Sequence, residues 1–230
     1  MLRSFLPAMA LTAALAAYGQ KSLAQGPNKM EVTLERQTKN GVWRVVDPGS
    51  IFENGDLVRF RFRANFSGYL YVMNQGTGGT YTRLFPREDT GMANKVIAGR
   101  EYMVPATDGS FRVEGPAGQD IVYWMVTPVE MGGEKNSYVP PPAPPDAVST
   151  RRETMTPRCD DIILRARGNC VDSSAGAKAA EKEELPTNMR SMAQGNQQEL
   201  VFMKKQNKSV VSSPVPLSGP GVYEFRLSHK

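Results

Sequence analysis

Between Val58 and Ala64 the sequence reads Val-Arg-Phe-Arg-Phe-Arg-Ala. Val58, Phe60, Phe62 and Ala64 share one parity and Arg59, Arg61 and Arg63 the other. Only an extended strand sends such a set to two opposite faces, because a helix would scatter the guanidiniums around its axis. The stretch therefore predicts a β-strand with one buried and one solvated face, and a chain built around it must supply further strands to cover the phenylalanines.

The neighbouring segments supply them. Met30, Val32 and Leu34 alternate with polar residues, Asn40-Gly41 offers the positive φ angles of a type I′ turn, and Val42–Val46 returns, so residues 28–47 predict a hairpin. After Ser67-Gly68, Tyr69–Met73 is apolar on both faces, and Gly76–Gly79 turns the chain into Thr80–Phe85 as a second hairpin. Shorter strands are predicted at 95–97, 101–104 and 111–113. Ile121–Val126 is uniformly apolar, as a central strand covered on both faces would be. Strand patterns resume at 199–203, 209–211 and 221–228.

Between these blocks the composition changes. Residues 132–158 hold Pro140, Pro141, Pro142, Pro144, Pro145 and Pro157 with few large apolar side chains, which favours polyproline II or disorder over packing. Ala177–Leu185 predicts two helical turns ended by Pro186. The fold class is accordingly all-β: an antiparallel β-sandwich with immunoglobulin-like packing and a Pro-rich, disulfide-containing loop insertion, with a closed barrel as the alternative. The main part of the sandwich spans 25–131, the excursion 132–196, and the strands that complete the sandwich 197–230.

Residues 1–24 read as a cleaved signal peptide: Arg3 supplies the positive region, Phe5–Ala17 the apolar run, and Ser22-Leu23-Ala24 the small residues before a cut after Ala24. The run is shorter than the roughly 20 apolar residues a membrane span needs, so the expectation is an exported protein, periplasmic or extracellular, with no transmembrane segment. Losing Arg3 and Lys21 lowers the formal charge from +5 to +3. That is mildly basic and gives no strong patch for nucleic acid, while outside the cytoplasm the available anions are envelope polymers and lipid headgroups. In an oxidising compartment Cys159 and Cys170 read as one disulfide, contributing about 2 to 3 kcal/mol through its short loop.

Several stretches also resemble a known bacterial family. Gly55–Phe60, Gly68–Gly76, Leu84-Phe85-Pro86, Ala98-Gly99-Arg100 and Gly115–Gly118, in this order, are similar to the domain of unknown function 4384. The likeness runs from about Phe52 to Val126, and the stretches around Cys159 to Asp172 and Leu217 to His229 look like one exported branch. The resemblance implies a β-rich accessory domain, found alone after a signal peptide or joined to caspase-like peptidase, kinase or envelope-associated segments. It implies no catalytic residues. No second domain is read here, which argues against a protease-linked or kinase-linked role.

Tested against chemistry, the chain offers little. His229, the sole histidine, is expected as a surface imidazole after the last strand, and neither a G-x-S-x-G turn nor an S-x-x-K pair is present. Asp56, Asp89, Asp108 and Asp120 lie near expected turns, where Asp serves local hydrogen bonding. Gly76–Thr80 lacks the ending of a phosphate loop and reads as a hairpin turn. Asp160-Asp161 lacks the spaced companions of a calcium site. No cofactor, metal site or catalytic residue is expected. Arg59, Arg61 and Arg63, about 6.6 Å apart on one face, are the candidate binding residues, suited to carboxylates or phosphates, against the plainer reading of a solvated face balanced by acids. Tyr69, Tyr71, Tyr81 and Trp124 could form a sugar platform but read better as core. The expectation is a non-enzymatic interaction module of the bacterial envelope with a protein partner. A module for anionic wall or exopolysaccharide glycan is the alternative, and a hydrolase with paired carboxylates the lesser one.

Overall fold

A computed structural model of the chain describes residues 27–131, 156–181, 185, 187–190, 200–214 and 219–230. The expected signal peptide and nearly all of the proline-rich run lie outside them.

Two antiparallel sheets face each other. The first is ordered β11 (Val201–Lys205), β12 (Lys208–Ser213), β1 (Asn28–Gln37), β3 (Leu57–Ala64), β7 (Glu101–Val104), with β2 (Trp43–Val45) pairing β1 and β8 (Phe111–Arg112) pairing β3. The second is ordered β10 (Gly176–Ala179), β13 (Gly221–His229), β9 (Gly118–Thr127), β4 (Gly68–Gln75), β5 (Tyr81–Phe85), with β6 (Lys95–Val96) on β4. This is a sandwich rather than a closed barrel, and β9 is central in its sheet. β3 behaves as its period requires: Val58, Phe60, Phe62 and Ala64 are buried, while its arginines look outward.

The inter-sheet core is centred on Trp124, which is fully buried. Phe62 and Tyr223 stack on its two sides at centroid distances of 5.7 and 6.4 Å, and Phe60 meets it edge-on at 5.3 Å. Aromatic pairs of this kind add about 0.5 to 1.5 kcal/mol each beyond the area they bury. The outer face of the second sheet is buried too. Met73, Ile121, Tyr123, Met125 and Val222 form a second cluster, closed by Ala180, Leu185 and Met189. That is why every residue of β9 is buried.

Three local expectations are corrected. The first hairpin closes through Thr38–Val42 rather than a two-residue type I′ turn: Gly41 N–H donates to Thr38 O and Thr38 N–H to Val42 O. Only Gly41 has positive φ there, at 78°. The same pattern closes β4–β5, with Gly79 at φ 83°. Second, residues 176–179 are not helical; they form β10 along β13, because an unpaired sheet edge outweighs the modest propensity of Ala and Lys for helix. The stretch 132–196 therefore lends a strand to the sandwich, and the helical turn near its end is α2 (Thr187–Arg190), beyond Pro186. Third, β13 runs through His229, clamped by Phe52, whose N–H donates to Ser228 O and whose carbonyl accepts from Lys230 N–H. His229 is 0% exposed. It shares the parity of Tyr223, Phe225 and Leu227, which carries it to the inner face instead of solvent.

Candidate functional site

The two sheets part along one side, where β3 and β8 face β4, β5 and β9. The gap is a cleft of about 710 Å³, the size of a small-molecule or peptide side-chain site. Its floor is apolar: Val58, Phe60, Leu84, Phe111, Val122 and Leu227. Its rim is polar, with Thr80, Thr82, Arg87, Arg112 and Glu114. Asn74 Oδ1, at the wall, is buried and accepts no hydrogen bond. Leaving a buried acceptor unmet costs about 1 to 3 kcal/mol.

One end of the cleft is held by a polar clamp. Thr77 N–H donates to Asp120 Oδ1 at 2.9 Å and Thr77 Oγ1–H to Pro116 O at 2.7 Å, which ties the β4–β5 turn to the loop before β9. Gly115 is required beside it, with φ at +110° and room for a Cβ only 3.2 Å from Thr77 Oγ1. His229 Nε2 lies 3.4 Å from the same Asp120 oxygen, and neither ring nitrogen makes a hydrogen bond. Asp120 was expected near a turn. It lies instead within β9, on the inner face, 7% exposed.

A second polar centre lies on the outer face of the second sheet. Asp172, 1% exposed, accepts from Gln119 Nε2 at 2.9 Å, Ser228 Oγ at 2.9 Å and the backbone N–H of Ser174 at 2.9 Å. Burial pushes its carboxyl up, but the hydrogen bonds from Ser174, Ser228 and Gln119 outweigh that and hold it below the ordinary aspartate value. This network fastens β9, β13 and the disulfide-bonded segment together. It borders a smaller cavity of about 520 Å³ between β10 and the β11–β12 hairpin.

The arginine stripe sits on the solvent side of the first sheet. Glu35 on β1, its side chain 2% exposed, pairs with Arg59 Nε at 2.6 Å and with Arg61, and Arg61 reaches Glu101 at 3.4 Å. Hydrogen bonding to Glu35 raises the Arg61 pKa above its ordinary value. Arg59 also covers the ring of Trp43 at 4.2 Å. Arg63 is exposed and makes no ion pair with any described residue. Two of the three guanidiniums are thus already engaged.

The aromatic residues do not form a platform. Trp124 is in the core, and Tyr71 is buried with its hydroxyl accepting from Met131 N–H at 2.8 Å. Tyr81 packs its hydroxyl near Met73 and Met189, while Tyr69 is half-buried. Gly76–Thr80 is a hairpin turn. Cys159 and Cys170 form a disulfide, and Asp160 beside it accepts from Ser173 N–H and Oγ–H at 2.8 and 2.7 Å. Among the described residues no group of three or more His, Cys, Asp or Glu side chains is placed to hold a metal ion, and no helix is long and apolar enough to cross a membrane.

Sequence reasoning missed Asn74, the Asp120–His229 contact and the Asp172 network. Parity could have found the second: Asp120 is in phase with Trp124 and His229 with Leu227. Nothing local marks the other two.

Compared with known proteins, residues 51–130 match the family model described as "Domain of unknown function (DUF4384)". No curated protein and no solved structure matches the chain.

Proposed function

Taking residues 51–130 as a domain of the DUF4384 family, we propose that the chain is an exported, non-enzymatic interaction module of the cell envelope that holds an extended segment of a protein partner in the cleft between its sheets. The observation that carries this reading is the composition of that cleft: every lining residue except Leu227 falls within the family segment. An extended peptide matches its chemistry. Apolar side chains fit the floor, and β5 and β8, the strands at its mouth, offer edges where a further strand can pair. Asp120, the carboxylate of the inner wall, accepts from Thr77 N–H and is 7% exposed. That suits a fixed wall better than proton transfer to a bound group. The disulfide and the signal-like residues 1–24 support export.

The test is site-specific photo-crosslinking in the native envelope, with the reactive group at Glu114 on the cleft rim or at Arg63 on the solvent face of the first sheet. A protein adduct formed from Glu114, not from Arg63, and weakened by Asn74→Leu is the expected result. Adducts from Arg63 alone would move the contact to the arginine stripe, and recovery of wall glycan without protein would replace the reading with a glycan-binding one.

A further inference from the structure

The disulfide closes a loop from Cys159 to Cys170 whose tip carries α1 (Ile162–Ala166). Two adjacent aliphatic side chains on it stand in water: Ile162 is 77% exposed and Ile163 67%. Among the described large hydrophobics that are exposed, Ile162 stands highest, and the two isoleucines are adjacent in the chain. Arg165 and Arg167 are also exposed and pair with no described acid. The two acids of the same loop are turned away from the tip. Asp160 is held at the neck by Ser173, and Asp161 lines the smaller cavity beside Pro48 and Ser173.

The neck itself is rigidly attached. Val171 O accepts from Asp160 N–H, and Asp172 N–H donates to Gly49 O at 2.8 Å. Val171 is 4% exposed, and the approach is so close that a Cβ on Gly49 would lie 2.6 Å from Asp172 O. A stapled, convex tip with aliphatic side chains at its point and cations around them complements a flat surface that is apolar beneath and anionic on top.

From this geometry we propose that the disulfide loop docks the protein onto an anionic lipid surface, with Ile162 and Ile163 entering the headgroup–acyl boundary and Arg165 and Arg167 meeting the headgroup phosphates. Neither signal suffices alone. A pair of small aliphatic anchors and a few cations hold a membrane only in combination, which makes the contact reversible and sensitive to salt. The proposal does not depend on what fills the cleft.

Co-sedimentation with vesicles tests it, comparing phosphatidylglycerol-containing phosphatidylcholine vesicles with pure phosphatidylcholine. The protein used begins at Gln25, which keeps every described residue and leaves out the apolar run of residues 5–17, itself able to enter lipid. Binding to the anionic vesicles alone is expected. Ile162→Ser with Ile163→Ser should lower the partition coefficient more than tenfold, and Arg165→Gln with Arg167→Gln about 25-fold, roughly fivefold per cation. Arg63→Gln, an exposed cation elsewhere, should leave it within twofold. All five positions tested are at the surface, so unchanged thermal unfolding checks that the fold is intact. Equal binding to both vesicle types, binding untouched by the tip variants, or no vesicle binding by a protein that instead pulls down a soluble acidic partner through the same tip would each overturn the proposal.

Discussion

The outer faces of the two sheets solve the same problem in opposite ways. On the first sheet the outward arginines of β3 keep contact with water and are tied across strands to β1 through the buried Glu35. On the second, the outward residues of β9 and β13 lie under the chain that follows the disulfide: polar at one end, where Asp172 meets Gln119 and Ser228, and apolar at the other, where Leu185 and Met189 close over Tyr123 and Met125. The roof even covers Glu224, 0% exposed and paired with Arg226. A solvated face can lose a charge cheaply, whereas a roofed face carries part of the fold. Binding surfaces in this molecule are accordingly sought at the open side and the protruding loop, not on either flat face.

The contrast can be broken or sharpened by substitution. Met125→Ala, at a fully covered position of the second sheet, is expected to cost about 2 to 5 kcal/mol in urea unfolding; a loss under about 1 kcal/mol would mean that the roof does not pack on it. Asp172→Asn comes next, at roughly 2 kcal/mol near neutral pH, from weakened hydrogen bonds to a charged group. It also carries a pH signature. Because the folded-state pKa of Asp172 lies below the unfolded value of 3.8, its contribution is fully present above that value and is lost as pH falls through the folded pKa. The variant should therefore lose less stability than the wild type as the pH is lowered through that window, measured by urea midpoints.

Glu35→Ala on the first sheet is expected to cost about 1 to 2 kcal/mol, since two guanidiniums lose their shared acceptor but can turn to solvent. Tyr223→Phe sharpens the view of the shared core: the phenol is buried, its pKa is raised by that burial, and its hydroxyl has no hydrogen-bond partner. Removing it should be neutral or stabilising by about 1 kcal/mol, read as a higher midpoint. Arg63→Ala closes the series within about 0.5 kcal/mol of wild type; a larger change would show that the solvated face is coupled to the core after all.

What the sequence determined by itself is the part written between near neighbours in the chain. The alternation of Val58 to Ala64 specified a strand and both its faces. The unbroken apolar run Ile121–Val126 specified a central strand covered twice, and Asn54-Gly55 and Gly76–Gly79 marked turns. The family likeness read from about Phe52 to Val126 falls within the 51–130 segment that the family model matches. What only the tertiary structure decided depends on which residues meet across long distances in sequence. Glu35 neutralises the arginine stripe because the register of β1 on β3 sets it opposite Arg59. Ala177 and its neighbours form a strand because β13 offers them an edge, although their own propensities point to helix. His229 is buried because Phe52 clamps the C-terminus and the odd parity of β13 turns the ring to the inner face, beside Asp120, and the cleft exists because two sheets diverge at β5 and β8. Periodicity and turn chemistry are local properties of a chain, whereas pairing, burial and the partner of a charge belong to the packed arrangement, and no window of sequence contains them.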